Sequence, residues 1–148
     1  MRILLAIDNS KCSAAATKSV IAQFLPQHTL VHVLHADESS SGLPRPGAGA
    51  DEPHAARNEV KRRAAAALVA SAADALRAAG FSTVASIRDG DPCDVILACA
   101  EDWRADLVVL GSHSRKGLAP MIMGSVSDAV ARRAPCSVEI VRAAPAAA

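Results

Sequence analysis

The sequence predicts an α/β fold, a doubly wound five-stranded parallel sheet with helices on both faces. Short segments rich in Val, Ile and Leu alternate with helical segments, and several of them are apolar at almost every position. Such strands are typical of sheets covered on both faces, and strand–helix alternation is typical of parallel sheets with right-handed crossovers. With 148 residues, 51% of them hydrophobic, the chain has the size of one domain with a substantial core. We expect the strand order 3-2-1-4-5.

The chain opens with a strand, a helix and a second strand. Residues 2–7 are nearly all apolar, and the polar residues 8–10 that follow can cap a helix. Residues 11–25 carry apolar side chains near helical spacing until Pro26 ends the segment. Residues 29–36 are rich in β-branched and other apolar residues, which favours a second strand.

A segment without periodicity separates the second strand from a long helix. Residues 37–53 are rich in Ser, Gly and Pro, so we expect a mobile loop within the domain. Residues 54–79 are rich in alanine and other helix formers, and Gly80 has the position of a helix C-cap. Residues 81–89 then predict a short third strand.

The C-terminal part continues the same alternation. Asp91, followed by proline, has the position of a helix N-cap, and residues 106–111 form the clearest buried strand. A further helix is predicted over 121–133 and a last strand over 136–141. We expect residues 143–148 to form a disordered tail.

Composition excludes several classes of function. The formal net charge is +1 and only 2% of residues are aromatic, which argues against a nucleic-acid-binding face. No apolar segment approaches the roughly 20 residues that a membrane span needs, and the chain begins on a strand without a signal-peptide pattern. We therefore expect a cytoplasmic protein that binds neither nucleic acid nor membrane.

Neither the cysteines nor the histidines predict a cross-link or a metal site. The cysteines form no Cys-x-x-Cys pair, so we expect buried or half-buried free thiols at Cys12, Cys93, Cys99 and Cys136. His32 and His35 lie two residues apart on one strand, but no third ligand is close in sequence. No metal site is predicted.

The clearest candidate site is the loop after the fourth strand. Gly111 ends that strand, and Gly124 and Ser125 adjoin the next helix. Glycines let the backbone approach a phosphate, a helix N-terminus offers N–H groups to it, and the hydroxyls of Ser125 and Ser127 can also donate. An ordinary turn followed by a small residue pair in a helix explains the same residues, because short glycine motifs carry little information alone.

Other polar residues near this loop also allow two interpretations. His113 can donate to phosphate or carry a proton, but a lone histidine is not a catalytic constellation. Arg115 and Lys116 either screen phosphate charge or are simply solvated. Asp8, after the first strand, is either a helix-capping turn residue or an acceptor for adenine or ribose donors.

Pieces from across the chain resemble the universal stress protein family. They are ILLAIDNS, VLHADE, DGDP, DLVVLGSHSRKG and MGSVSDAVARRAPCSVEIV, and the similarity extends over residues 1–142. ATP-binding members of this family carry Gly, two residues, Gly, nine residues, and then Gly with Ser or Thr. Gly111, Gly124 and Ser125 match that motif, whereas Ser114 stands in place of its second glycine.

The resemblance implies a site for ATP or AMP, with Mg²⁺ as a companion of the nucleotide. Asp8 would line the site, while Ala36 and Leu110 would meet the adenine through their backbone. The residues expected to bind the nucleotide are Asp8, Ala36, Leu110, Gly111, His113, Ser114, Gly124, Ser125, Val126 and Ser127. A second branch of the family lacks the motif and does not bind ATP, and the Cβ of a serine at the second glycine position can crowd a phosphate.

The resemblance also implies a regulator instead of an enzyme. The P-loop string GxxxxGK followed by Ser or Thr is absent, as is a GxSxG elbow, so no catalytic residue is predicted. The family pairs as a homodimer through its last strand, here residues 136–141, and nucleotide would shift a conformation that an unknown regulatory protein recognises. A nucleotide-free dimerisation module of the same fold and a slow ATPase are the alternatives.

Overall fold

The computed structural model describes residues 1–38, 52–112 and 124–144. The strands are β1 (Arg2–Ala6), β2 (Leu30–Asp37), β3 (Ser82–Asp89), β4 (Leu107–Gly111) and β5 (Ser137–Val141). The helices are α1 (Lys11–Gln23), α2 (Glu52–Ala78), α3 (Pro92–Asp102) and α4 (Ser125–Arg133), and a 3₁₀ turn, Pro26–His28, precedes β2. Strands and helices therefore alternate as the sequence predicts.

The described strands form one parallel sheet in the order β3-β2-β1-β4-β5. β1 lies at the centre, where Ala6 is paired with Leu34 of β2 on one side and with Leu110 of β4 on the other. The chain winds outward from β1 to β3, then returns across the sheet to β4 and β5. The strand order therefore reverses between β1 and β4, and the predicted fold and order are confirmed.

Alternate side chains of the central strands form two separate cores. Ile3 and Leu5 of β1 are fully buried on the face covered by α1 and α2, together with Val20 and Leu76. Leu4 is fully buried on the opposite face, against apolar residues of α3 and α4. This double covering is the physical reason for the continuous apolar sequence of β1 and β4.

The helices differ in how their first turns are capped. The Ser10 side chain caps α1 by accepting from the backbone N–H of Ser13 (3.1 Å), and Asp91 caps α3 by accepting from that of Asp94 (3.1 Å). The N-cap of α4 is Gly124, which has no side chain for this purpose. None of the helices in the described part of the chain is long and apolar enough to cross a membrane.

The predicted boundaries shift at the long loop. β2 continues through Asp37, which pairs with Asp89 of β3, and α2 begins at Glu52, so both ends of the predicted loop 37–53 belong to regular elements. Parallel pairing with β3 extends β2 beyond its apolar sequence. The residues of the predicted loop, fourth helix and tail that lie outside the described part are 39–51, 121–123 and 145–148.

All four cysteines are free thiols, as predicted. Cys93 and Cys99 are buried, whereas Cys12 and Cys136 are half-buried. Burial raises the pKa of the Cys93, Cys99 and Cys136 thiols, so these groups stay protonated at neutral pH.

Candidate functional site

The candidate residues in the described part of the chain lie near the carboxyl ends of β1 and β4, where the strand order reverses. Asp8 follows β1, Gly111 ends β4, and α4 begins after Gly124. In doubly wound sheets, ligands bind in the crevice at this point. The fold therefore brings together the N-terminal and C-terminal segments that the sequence analysis singled out.

Asp8 is held by the first turn of α1. Its backbone N–H donates to Oγ of Ser13 (2.8 Å), and the Ser13 hydroxyl donates to Oδ1 of Asp8 (2.7 Å). The N-cap of α1 is Ser10, so capping this helix does not depend on the Asp8 carboxylate. Asp8 is exposed, and the serine cluster fixes the position of its carboxylate at the edge of the crevice.

Packing against α1 gives Gly111 a structural role. A Cβ built on Gly111 would lie 2.6 Å from both the backbone carbon and the Cβ of Cys12, far inside van der Waals contact. The Cys12 thiol donates to the carbonyl oxygen of Ser112 (3.0 Å), whose own N–H donates to the carbonyl of Val141 (2.9 Å). The missing side chain thus lets the start of α1 lie directly against the end of β4.

The first turn of α4 lies beside the residue that follows β4. The N–H of Gly124 approaches Oγ of Ser112 (3.5 Å), and the Ser127 hydroxyl donates back to the carbonyl of Gly124 (3.0 Å). Ser127 is buried, so its hydroxyl stabilises this turn. Ser125 is exposed, while Val126 is half-buried against the core between the sheet and α3 and α4.

The end of β2 lies beside the residue that follows β1. Nδ1 of His35 lies 2.9 Å from the carbonyl oxygen of Ile7, which joins β2 to the residue after β1. Ala36 is half-buried next to it. Leu110 of β4 is only 4% exposed, so a ligand in the crevice would meet its backbone instead of its side chain.

Two of the predicted site residues, His113 and Ser114, lie outside the described residues, as do Arg115 and Lys116. Ser112 was not among the predicted site residues; it is 4% exposed and contacts both α1 and Gly124. The sequence feature that could have indicated Ser112 is a polar residue directly after a buried strand.

His32 belongs to the core on the α3 side of the sheet. Its Nε2 lies 2.7 Å from Oγ of Ser86, and its Nδ1 lies 3.8 Å from Sγ of Cys99. Burial, with a smaller contribution from the charge of Arg88, lowers the pKa of His32. His35 bonds elsewhere, so the two histidines do not converge on one ligand.

A cluster at the start of α3 holds potential metal ligands among the described residues. Ligand atoms of Asp91, Cys93 and Asp94 lie within 4.8 Å of one another. Arg133 of α4 lies 3.6 Å from the Asp94 carboxylate and donates to Sγ of Cys93 (3.8 Å). The positively charged guanidinium of Arg133 thus lies beside these potential ligands, and its contacts with Asp94 and Cys93 connect α4 to α3.

Comparison with known families agrees with this architecture. The model of the universal stress protein family matches residues 1–142. The chain belongs to the universal stress protein family. YxiE of Bacillus subtilis, another universal stress protein, is 31% identical over 149 residues, which cover 95% of this chain and 98% of that protein. Universal stress protein Sll1388 of Synechocystis is 46% identical over 56 residues, or 38% of this chain and 36% of that protein.

Solved structures share the fold of this universal stress protein. MJ0577 superposes with a TM-score of 0.82 at 23% identity, covering 99% of this chain and 97% of that one. A universal stress family protein from Arabidopsis thaliana, solved with AMP bound, has a TM-score of 0.69 at 19% identity and covers 97% and 92%. A universal stress protein in complex with cAMP has a TM-score of 0.66 at 22% identity and covers 97% and 98%.

Proposed function

We propose that this universal stress protein binds an adenine nucleotide, ATP or AMP, in the crevice between β1 and β4. The start of α4 carries the proposal. Ser10 and Asp91 satisfy backbone N–H groups at the starts of α1 and α3, whereas Gly124 offers no such side chain to α4. The first N–H groups of α4 are therefore suited to an anion, which the helix dipole also favours.

The groups around this helix start support a nucleotide as the anion. The Asp8 carboxylate is an acceptor for ribose or adenine donors, and the exposed Ser125 hydroxyl is a donor for phosphate. The backbone near Ala36 borders the side on which the base would lie. The AMP and cAMP bound to structural relatives support adenine as that base. Mg²⁺ would accompany ATP through its phosphate oxygens, and a carboxylate such as Asp8 is a suitable ligand type.

The proposed role is regulatory and cytoplasmic. Nucleotide binding shifts a conformational equilibrium that a regulatory protein recognises under stress, and no residue is assigned a catalytic role. The protein pairs as a homodimer through β5, an edge strand whose last four residues are half-buried. Any hydrolysis of ATP is slow and incidental to binding.

A nucleotide-free module of the same fold is the second candidate. The packing of Gly111 against Cys12 explains the first motif glycine without any ligand. Ser114 stands where the nucleotide-binding motif has its second glycine. In this alternative, dimerisation and partner binding proceed without ATP.

Equilibrium dialysis with labelled ATP and AMP, in the presence of Mg²⁺, tests the proposal. Gly124→Asp is the informative variant, because Gly124 has an ordinary φ of −59° and aspartate is a favoured N-cap residue. The variant should unfold no more readily than wild type, yet lose at least about tenfold in affinity, since its carboxylate takes the place of the phosphate. Ala131→Asp adds the same charge to an exposed position of α4 and should bind nucleotide normally.

Two results would decide against the proposal. No saturable binding at millimolar nucleotide would favour the nucleotide-free module, and unchanged affinity in Gly124→Asp would remove the site from the start of α4. Turnover of ATP that persists in Gly124→Asp would identify a contaminating enzyme, whereas turnover that disappears with binding would support the slow ATPase.

A further inference from the structure

The edge of the sheet opposite β5 carries a surface that no other described strand covers. Among the described strands, β3 pairs only with β2. Ile87 of β3 is 40% exposed, and the neighbouring Ala66 and Ala70 of α2 are exposed as well. We call Ala85, Ile87, Ala66 and Ala70 the β3–α2 surface. Exposed edge strands with apolar side chains favour pairing with another strand.

Charged residues extend this surface along α2 in an ordered row. At helical spacing, the row reads Glu59, Arg63, Ala66, Ala70, Asp74, Arg77. Arg63 is paired with Glu59 (3.1 Å) and Arg77 with Asp74 (3.3 Å), so each end of the row is an exposed ion pair. Along the chain, an acidic residue precedes a basic one at both ends of the row. When a second copy of the row runs antiparallel to the first, each acidic position therefore faces a basic one.

We propose that a second copy of this chain docks on the β3–α2 surface about a two-fold axis that passes beside Ser86. β3 then pairs antiparallel with β3 of the second copy, and Ala85 lies opposite Ile87 of that copy. Along the helices, Ala66 lies opposite Ala70, Glu59 opposite Arg77, and Arg63 opposite Asp74. A two-fold interface must be self-complementary in this way.

The same two-fold axis relates both the paired β3 strands and the paired α2 helices. The groove between the two elements is lined on the α2 side by Ala66, Val69, Ala70, Ala73 and Arg77, and on the β3 side by Ala85, Ser86 and Ile87. The small residues in the middle of the row therefore lie beside the middle of β3. If the row lay further along β3, pairing of the two β3 strands would not bring the acidic residues of one α2 opposite the basic residues of the other.

Spacing also suits the docked arrangement. Neighbouring strands lie about 4.8 Å apart, and α2 packs against both β3 and β2, so the two α2 helices would lie side by side across the new strand pair. Helices pack at about 8–10 Å, with small residues at the closest contacts. The exposed alanines Ala66 and Ala70 supply those small residues.

A second copy fits this surface better than an unrelated strand does. Strand addition by any extended peptide would use the backbone of β3, but it would not require the charge order on α2. The surface also lies at the opposite edge of the sheet from β5 and away from the start of α4. Association through it can therefore be tested separately from nucleotide binding and from the β5 dimer.

A charge exchange provides the first test, read by sedimentation equilibrium of the purified full chain. Glu59→Arg and Arg77→Glu should each weaken self-association through this surface about tenfold, because like charges then face each other at both ends. An equimolar mixture should associate again, since the arginine introduced at position 59 faces the glutamate introduced at position 77. Equal self-association of wild type, both variants and their mixture would overturn the proposal.

Edge substitution provides the second test. Ile87→Lys places a lysine on the β3 edge and should lower the mass of the wild-type assembly at high concentration to that of the assembly held by β5 alone. Val60→Lys is the matched control, because Val60 is 67% exposed on α2 outside the surface, and its mass should equal that of wild type. Equal masses for wild type and Ile87→Lys would overturn the proposal. Equal masses are also the result expected if an unrelated protein, and not a second copy, binds this edge. Both variants should bind nucleotide as wild type does, so failure here is distinct from failure at the crevice.

Discussion

At the scale of single residues, Gly111 and Gly124 have different reasons to be glycine. Gly111 has no room for a side chain because Cys12 of α1 lies against it. Gly124 has backbone angles that any residue adopts, so neither strain nor helix formation requires glycine there. The absence of a side chain at Gly124 is instead consistent with space for a ligand at the start of α4. The sequence motif predicts the same phosphate-binding role for both glycines, whereas their packing in the structure differs.

Gly111→Ala should destabilise the fold by about 1–3 kcal/mol, because the added methyl group forces the start of α1 away from β4. Urea unfolding measures this free energy. Gly124→Ala is the control and should lose much less stability, about 0.5 kcal/mol at a helix N-cap. Equal stability of Gly111→Ala and wild type would show that α1 moves aside without cost.

At the scale of elements, the helix starts that have a capping side chain were predicted best. α2 begins at Glu52, and α4 begins at Ser125 after the non-helical Gly124, whereas these helices were predicted to begin at 54 and 121. The polar residues 8–10 and the Asp91-Pro92 pair identify the first turns of α1 and α3, because capping depends on a few local side chains. The end of β2 was placed one residue early, since Asp37 continues the pairing with Asp89. Polar residues at a strand end carry no local signal for pairing with a strand that lies far along the chain.

Ser10→Ala should lower the free energy of unfolding by about 1 kcal/mol, because it removes the acceptor for the backbone N–H of Ser13 at the start of α1. Ser10→Asn restores an acceptor and should retain most of the wild-type stability. Thermal unfolding followed by circular dichroism compares the two variants. Equal losses in both would mean that the cap bond contributes nothing.

At the scale of the whole molecule, a polar group is placed inside the α3 side of the core. His32 contacts Ser86 of β3 and Cys99 of α3, and its ring meets Trp103 edge-on at 5.2 Å between centroids. The charge of Arg88 acts on His32, and the charges of Arg88 and Asp102, whose side chains lie 3.5 Å apart, act on Cys99. The imidazole thus links the sheet to α3, and its charge state affects the stability of the whole domain.

Stability should fall as the pH decreases from about 6.5, because burial lowers the pKa of His32 in the folded protein. In that range the unfolded chain binds a proton that the folded chain does not, so protonation favours unfolding. His32→Gln should make the dependence of unfolding free energy on pH shallower, by up to about 1.4 kcal/mol per pH unit. His28→Gln, at an exposed histidine, is the control. An unchanged slope in His32→Gln would assign the acid sensitivity to other groups.

The sequence alone determined the alternation of strands and helices, the central position of the apolar strands and the segments that could form the site. These features follow from local side-chain pattern: apolar continuity in the strands, capping residues before α1 and α3, and glycine with serine at the start of α4. Resemblance to universal stress proteins then linked the segments to one ligand class. Each of these inferences depends on residues that are close together in the chain.

Only the tertiary structure decided which neighbours each residue has. It placed Cys12 against Gly111, used the Ser127 hydroxyl within α4, and added Ser112 to the crevice. It also placed Ala66, Ala70 and Arg77 of α2 beside Ala85 and Ile87 of β3. Contacts between distant parts of the chain depend on how the whole sheet is wound and packed, and no local pattern contains that information.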